Sequence, residues 1–245
     1  MNVRTALALA LMVAGSGAPA QEEDVEFPLS HAAVRLMLEQ ADDAALKAQE
    51  RHFPEHYDAL VSQLVELKRG DDPEQASLAL ARASRQNWAR YNELVRQGDP
   101  ADWRELVIKR RDLFALIGKT DGAERCLAYE YQGTQALTTS GNPAYRKPAS
   151  AYIELFINAA GRARSAPRQW RETQASDLNL LYATLEAQEP DPALLAALRP
   201  EDAAHPRFCE AMVAVMDAAL TLEGEPGALV WRFLVTTGSV EKPED

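Results

Sequence analysis

The chain has 245 residues, with 37 Asp or Glu against 26 Lys or Arg and a formal charge of −11. That excess of acid excludes binding driven by attraction to nucleic-acid phosphates or to anionic lipid heads. Apolar residues make up 47% of the chain, ample for a core, and no linker composition interrupts it, so one helical domain over residues 21–237 is expected.

The N-terminus carries one positive charge at Arg4, then an apolar run from Ala6 to Ala14, then the small-residue site Ala18-Pro19-Ala20 before Gln21. This is the pattern of a secretory signal peptide over residues 1–20. The run is shorter than the roughly 20 residues a membrane-spanning helix needs. The competing reading is an N-terminal hydrophobic helix of the fold. Cleavage would leave a periplasmic or secreted protein with no membrane span, and would take the charge from −11 to −12 by removing Arg4 and no acid.

An acidic lead, Glu22-Glu23-Asp24-Val25-Glu26, follows. Ser30 can cap a helix starting near His31, whose apolar face thins to alanines by Ala48. Phe53-Pro54 breaks it, and Pro54 suits the first turn of the next helix, with Tyr57, Leu60, Val61 and Leu64 at spacings of three and four. Asp72-Pro73 and Asp99-Pro100 repeat one start signal, an N-cap followed by proline. The first opens a helix running to about Arg96. The second opens one with Trp103, Leu106, Val107, Leu113, Phe114 and Ile117, closed at Gly118. Asp121 can cap a helix holding Cys126, Tyr129 and Tyr131.

Residues 138–148, TTSGNPAYRKP, have loop composition, and a helix is expected from about Ala149. Another runs from about Trp170 through Leu178, Leu181 and Leu185. Pro190, Pro192 and Pro200 break the chain around a short helical turn. His205 to Gly224 is the most apolar stretch beyond the N-terminus, with Phe208, Met212, Val215, Met216 and Ala219 on one face. Only Val230 to Thr236 hints at strand alternation. The tail from 238 to 245 is polar and expected to be disordered. About eight helices with short connections predict an all-α fold, a multi-helix bundle or stacked hairpins.

The two cysteines, Cys126 and Cys209, read differently once export is expected: in an oxidising compartment a pair with no third most often forms one disulfide. Free thiols and a metal pair are the alternatives. The loop so closed, about 83 residues, is worth roughly 4–5 kcal/mol in the chain-entropy model.

Signatures of catalysis are lacking: there is no G-x-S-x-G, S-x-x-K, H-E-x-x-H, phosphate loop or EF-hand spacing. His52 and His56 are four apart, as are His205 and Cys209, but Pro54 and Pro206 fall between the members of each pair and spoil the shared helix face that zinc ligation would need. No metal site and no cofactor is expected. Arg162, Arg164, Arg168 and Arg171 surround Trp170, as in a contact for an anion or glycan. A plainer account is dipole complementation at a helix C-terminus, with Trp170 in the core. Tyr129, Glu130 and Tyr131 could line a groove, with Glu130 as a general acid, or be ordinary helix residues. Lys109-Arg110-Arg111 reads as a solvated helix face. The functional expectation is a non-enzymatic module binding a protein or cell-envelope component. The alternative is a hydrolase using carboxylates near Glu130 and the 138–148 loop.

Overall fold

The computed structural model describes residues 30–41, 43–66, 87–188, 191–198 and 205–237. The expected signal peptide, the acidic lead, the Asp72-Pro73 helix start and the 238–245 tail lie outside these residues. The fold is all-α, with no strand among the described residues.

The helices in order are α1 (His31–Gln40), α2 (Ala44–His52), α3 (Pro54–Glu66), α4 (87–95), α5 (Pro100–Thr120), α6 (Ala123–Gln132), α7 (Gln135–Thr138), α8 (Arg146–Ser165), α9 (Ala175–Gln188), α10 (Pro192–Ala196), α11 (Phe208–Leu220) and α12 (Gly224–Thr236). A 3-10 turn at Pro143–Tyr145 precedes α8. The described residues group into two compact units. One lies within Met1–Asn92 and Leu137–Gly161, the other within Glu93–Ala136 and Arg162–Asp245. The chain passes between them at 92–93, 136–137 and 161–162, each inside a helical stretch, so no Pro/Gly-rich linker marks the division.

In the first unit, α1, α2 and α3 bury Val34, Leu38, Leu46, Tyr57, Val61 and Leu64 against one another. Ser30 caps α1 by accepting from the Ala33 amide at 3.1 Å. The single helix expected over residues 31–48 is two. The first stops at Gln40, and Asp43 caps α2, its Oδ1 accepting from the Ala45 and Leu46 amides at 2.8 and 3.0 Å. Trp88 stacks on Phe156 with ring centroids 4.2 Å apart. The segment expected as a loop from 138 to 148 is largely turns of helix. Asn142 caps the 3-10 turn, Tyr145 is buried, and α8 starts at Arg146 rather than Ala149. Pro148 falls in the first turn of α8, where its missing N–H has no acceptor to lose.

In the second unit α5 packs against α6, α11 and α12, and α11 also against α9 and α10. Asp99 caps α5, accepting from the Ala101 amide at 2.9 Å with Pro100 in the first turn. Helix α5 continues through Gly118 to Thr120, and Gly122, not Asp121, is the N-cap of α6, at φ 82°. Helix α11 buries Phe208, Cys209, Met212, Val215, Met216 and Ala219, the face its spacing predicts. Residues 230–236 are helical within α12. A disulfide joins Cys126 of α6 to Cys209 of α11, with Cα atoms 5.5 Å apart. The Cβ that Gly118 lacks would sit 3.0 Å from Cys209 Cβ, so the glycine lets α5 close over the bond.

Candidate functional site

The arginine–tryptophan group lies on a strap. Residues 167–174 are not helical, and the helix expected from Trp170 starts at Ala175. Arg168 donates its backbone N–H to Gln97 C=O at 2.8 Å and pairs with Asp99 at 2.6 Å. The Trp170 indole donates to Gly98 C=O at 3.1 Å, and its ring meets Trp103 edge-on at 5.2 Å. Arg162 forks onto Asp102 at 2.6 and 3.1 Å, which raises its pKa. Asp99 and Asp102 sit at the cap and in the first turn of α5, where the helix dipole also favours acid. Arg164 is exposed in the last turn of α8.

Arg171 contacts two carboxylates. Its guanidinium forks onto Asp177 at 2.7 and 2.8 Å, and its Nε donates to Glu225 at 3.0 Å. Asp177 also accepts from the Gln174 amide at 2.8 Å, closing the start of α9 in the manner of a capping box. The Arg171 fork holds the Asp177 carboxyl down to about 2, against burial that would raise it.

Arg232 is the residue this region adds. It is buried within the apolar run of α12, and burial lowers its pKa. Its Nη2 donates to Arg171 C=O at 2.8 Å and to Thr173 Oγ1 at 3.3 Å, while Thr173 donates to Leu229 C=O at 3.1 Å. The guanidinium lies over the Trp103 ring, 5.9 Å from its centroid. A single arginine in LVWRFLV was the available sequence signal, since a cation in such a run is buried and demands partners.

The Tyr129–Tyr131 stretch does not form one groove. Tyr129 is buried edge-to-face on Phe114, with centroids 5.0 Å apart, whereas Tyr131 is 53% exposed. Glu130 pairs with Arg110 at 2.7 Å. Arg110 is buried rather than on a solvated face, and it also donates to Leu234 C=O in the last turn of α12. That carbonyl is one a helix C-terminus leaves without an internal donor. One guanidinium thus joins α5, α6 and α12. Its neighbours behave differently: Lys109 is exposed, and Arg111 pairs with Asp112 and Asp217. Glu130 belongs to the second unit and residues 138–148 to the first.

His52, His56 and His205 are held by different partners. His52 Nε2 donates to Asn158 Oδ1 at 3.0 Å, and its ring fills the space above Gly161. His56 is buried, stacked on Phe53 at 5.5 Å, with Nδ1 2.8 Å from Tyr91 Oη. Burial raises the Tyr91 pKa. His205 Nδ1 accepts from the Arg207 amide at 3.2 Å, and Cys209 is in the disulfide. Among the described residues no group of three His, Cys, Asp or Glu could hold a metal. Burial raises the Asp43 pKa, against hydrogen bonds from Leu46, Ser150 and Ala45 that lower it.

No helix among the described residues is long and apolar enough to cross a membrane. No family model matches the chain, and no curated protein or solved structure matches it.

Proposed function

We propose that the protein is an exported, non-enzymatic helical module that binds a protein or a component of the cell envelope. The observation that carries this reading is how the candidate ionic groups are spent. Arg162 engages Asp102, Arg168 engages Asp99, Arg171 engages Asp177 and Glu225, and Glu130 engages Arg110. Side chains used this way hold helix ends and a strap; they are counter-ions to one another rather than a converging set of acid, base and nucleophile. Glu130, the carboxylate from which the hydrolase reading starts, is paired with Arg110 at 2.7 Å. Large apolar side chains do reach the surface, with Tyr131, Leu180 and Tyr182 each 43–55% exposed. Export is supported by the Ala6–Ala14 run, the Ala18-Pro19-Ala20 site and the disulfide.

The test is to express the full chain in a secreting bacterial host, sequence the N-terminus of the exported product, and use it as bait for envelope proteins and polymers. A product starting at Gln21 that retains a saturable partner in its oxidised form is the expected result. Uncleaved protein in the cytosol would overturn the export reading. Turnover of glycan, ester or peptide substrates, with no retained partner, would overturn the binding reading.

A further inference from the structure

We propose that the Arg168–Gln169 peptide bond is a processing site for a trypsin-like serine protease, and that the disulfide keeps the two products in one covalently joined molecule. The site goes beyond the binding role and does not depend on it. Proteases nick exposed chain that is not wound into a helix, because they bind the substrate in extended form along an edge of their own. Residues 164–169 are all exposed, and from 166 to 174 the chain is not helical. Pro167 enforces this, since it has no backbone N–H to give a helix and disfavours helical backbone at Ala166 before it.

Arginine selects both the enzyme class and the bond. A specificity pocket ending in a carboxylate takes an Arg or Lys side chain on the acyl side of the scissile bond. Among the described residues outside helices, the bases are Arg96, Arg168, Arg171 and Arg207. Arg96 and Arg207 are partly buried, and Arg207 C=O accepts from the Ala211 amide of α11 at 2.9 Å. Arg171 has its guanidinium on Asp177 and Glu225 and its C=O on Arg232, and Glu172 follows it. Arg168 is held by less: its N–H bonds Gln97 C=O, and its side chain, 55% exposed, pairs with the 42% exposed Asp99. An ion pair that open to water is weak, so the guanidinium can leave Asp99 for an enzyme pocket. Hydrolysis adds one water across the bond and leaves a carboxylate on Arg168 and an ammonium on Gln169. Each new end stays anchored close by, through Arg162 on Asp102 upstream and Arg171 on Asp177 downstream. Position 168 lies between Cys126 and Cys209, so the disulfide joins the fragments on either side of the cut.

The experiment treats the oxidised full chain with a trace of trypsin in native buffer, and mass mapping over time ranks the cuts after Lys or Arg within residues 87–188. The cut that makes Gln169 a new N-terminus should come first, with the circular dichroism of the intact protein retained. The fragments carrying Cys126 and Cys209 should run as one molecule without reductant and separate with it. Arg168→Gln should abolish the cut and Arg168→Lys should keep it. Asp99→Asn keeps a cap acceptor on α5 but removes the ion pair, so it should speed the cut several-fold. Circular dichroism should show all three variants folded, since the changed side chains are exposed. An earlier cut at Arg164–Ser165 or elsewhere in 87–188 would overturn the proposal. So would a cut after Arg168 that appears only in unfolding urea, its survival in Arg168→Gln, an unchanged rate in Asp99→Asn, or fragments that part without reductant.

Discussion

Gly161 shows how closely single residues are fitted. A Cβ there would lie 2.3 Å from His52 Cγ and 2.7 Å from His52 Cβ, so the rigid base of the side chain, not a movable tip, is in the way. Gly161→Ala should therefore destabilise the protein by about 1–3 kcal/mol, the usual cost of overpacking. Chemical denaturation would show it. Adding His52→Ala should recover part of the loss, because the two changes share one contact. Arg110 gives the polar counterpart. Arg110→Ala leaves the Leu234 carbonyl and Glu130 without their guanidinium. The expected loss is about 3 kcal/mol, at the low end for a broken buried pair because Glu130 keeps 26% exposure. Glu130→Gln retains an acceptor and should cost about 1 kcal/mol. Equal losses from the two would show that the ion pair, not the capped carbonyl, dominates. Neither site was legible in the sequence. Lys109-Arg110-Arg111 looks like three solvated cations, and only the packing of α5 under α12 tells which one is buried. His52 meets Gly161 across a hundred residues, a distance at which no local pattern operates.

At the scale of the element, starts marked by Asp-Pro or Ser were legible because the cap is local chemistry. Asp99-Pro100 and Ser30 behave as their sequence predicts. Starts set by tertiary contacts were not. The Trp170 segment has helical spacing, yet it is not helical: Arg168 and Trp170 are tied to residues 97–99 and Arg171 to Asp177. Asp43 caps a second helix where the alanine-rich pattern predicted one continuous helix. The Arg171–Asp177 fork carries a pH prediction for α9. The Asp177 carboxyl is lowered from 3.8 to about 2 in the folded chain. Its folded pKa is below its unfolded one, so the unfolded state binds the proton first. The contribution to stability is thus complete above about pH 5 and fades as pH falls through 4 toward 2. Asp177→Asn should lower stability at neutral pH and flatten the pH dependence between 4 and 2. Thermal unfolding at a series of pH values would check it; a variant that kept the wild-type slope would place that slope on other carboxylates.

At the scale of the molecule, fold class and disulfide were legible and the division into units was not. Helical periodicity is strong in long segments, and two cysteines in an expected secreted chain leave one pairing. The division leaves no compositional trace because its crossings fall inside helices. The bond between Cys126 and Cys209 spans 83 positions and both sulfurs are buried, their residues 0% and 7% exposed. Two consequences separate cleanly. Replacing both cysteines by alanine removes the cross-link from the unfolded chain, and the chain-entropy model sets the loss at roughly 4–5 kcal/mol, an upper value because residual unfolded structure shrinks it. Urea unfolding of the oxidised protein beside the double variant would measure it. The second consequence is kinetic. A reductant cannot reach either sulfur without an opening that separates α6 from α11, so the rate of reduction should follow that opening rather than the strength of the reductant. Alkylation and mass measurement over time should show no thiols in native buffer and a rate that rises with urea well below the unfolding midpoint. Fast reduction in native buffer would mean that α6 and α11 part easily. The bond would then be holding together a contact that packing alone does not, and the alanine variant should lose this pairing first.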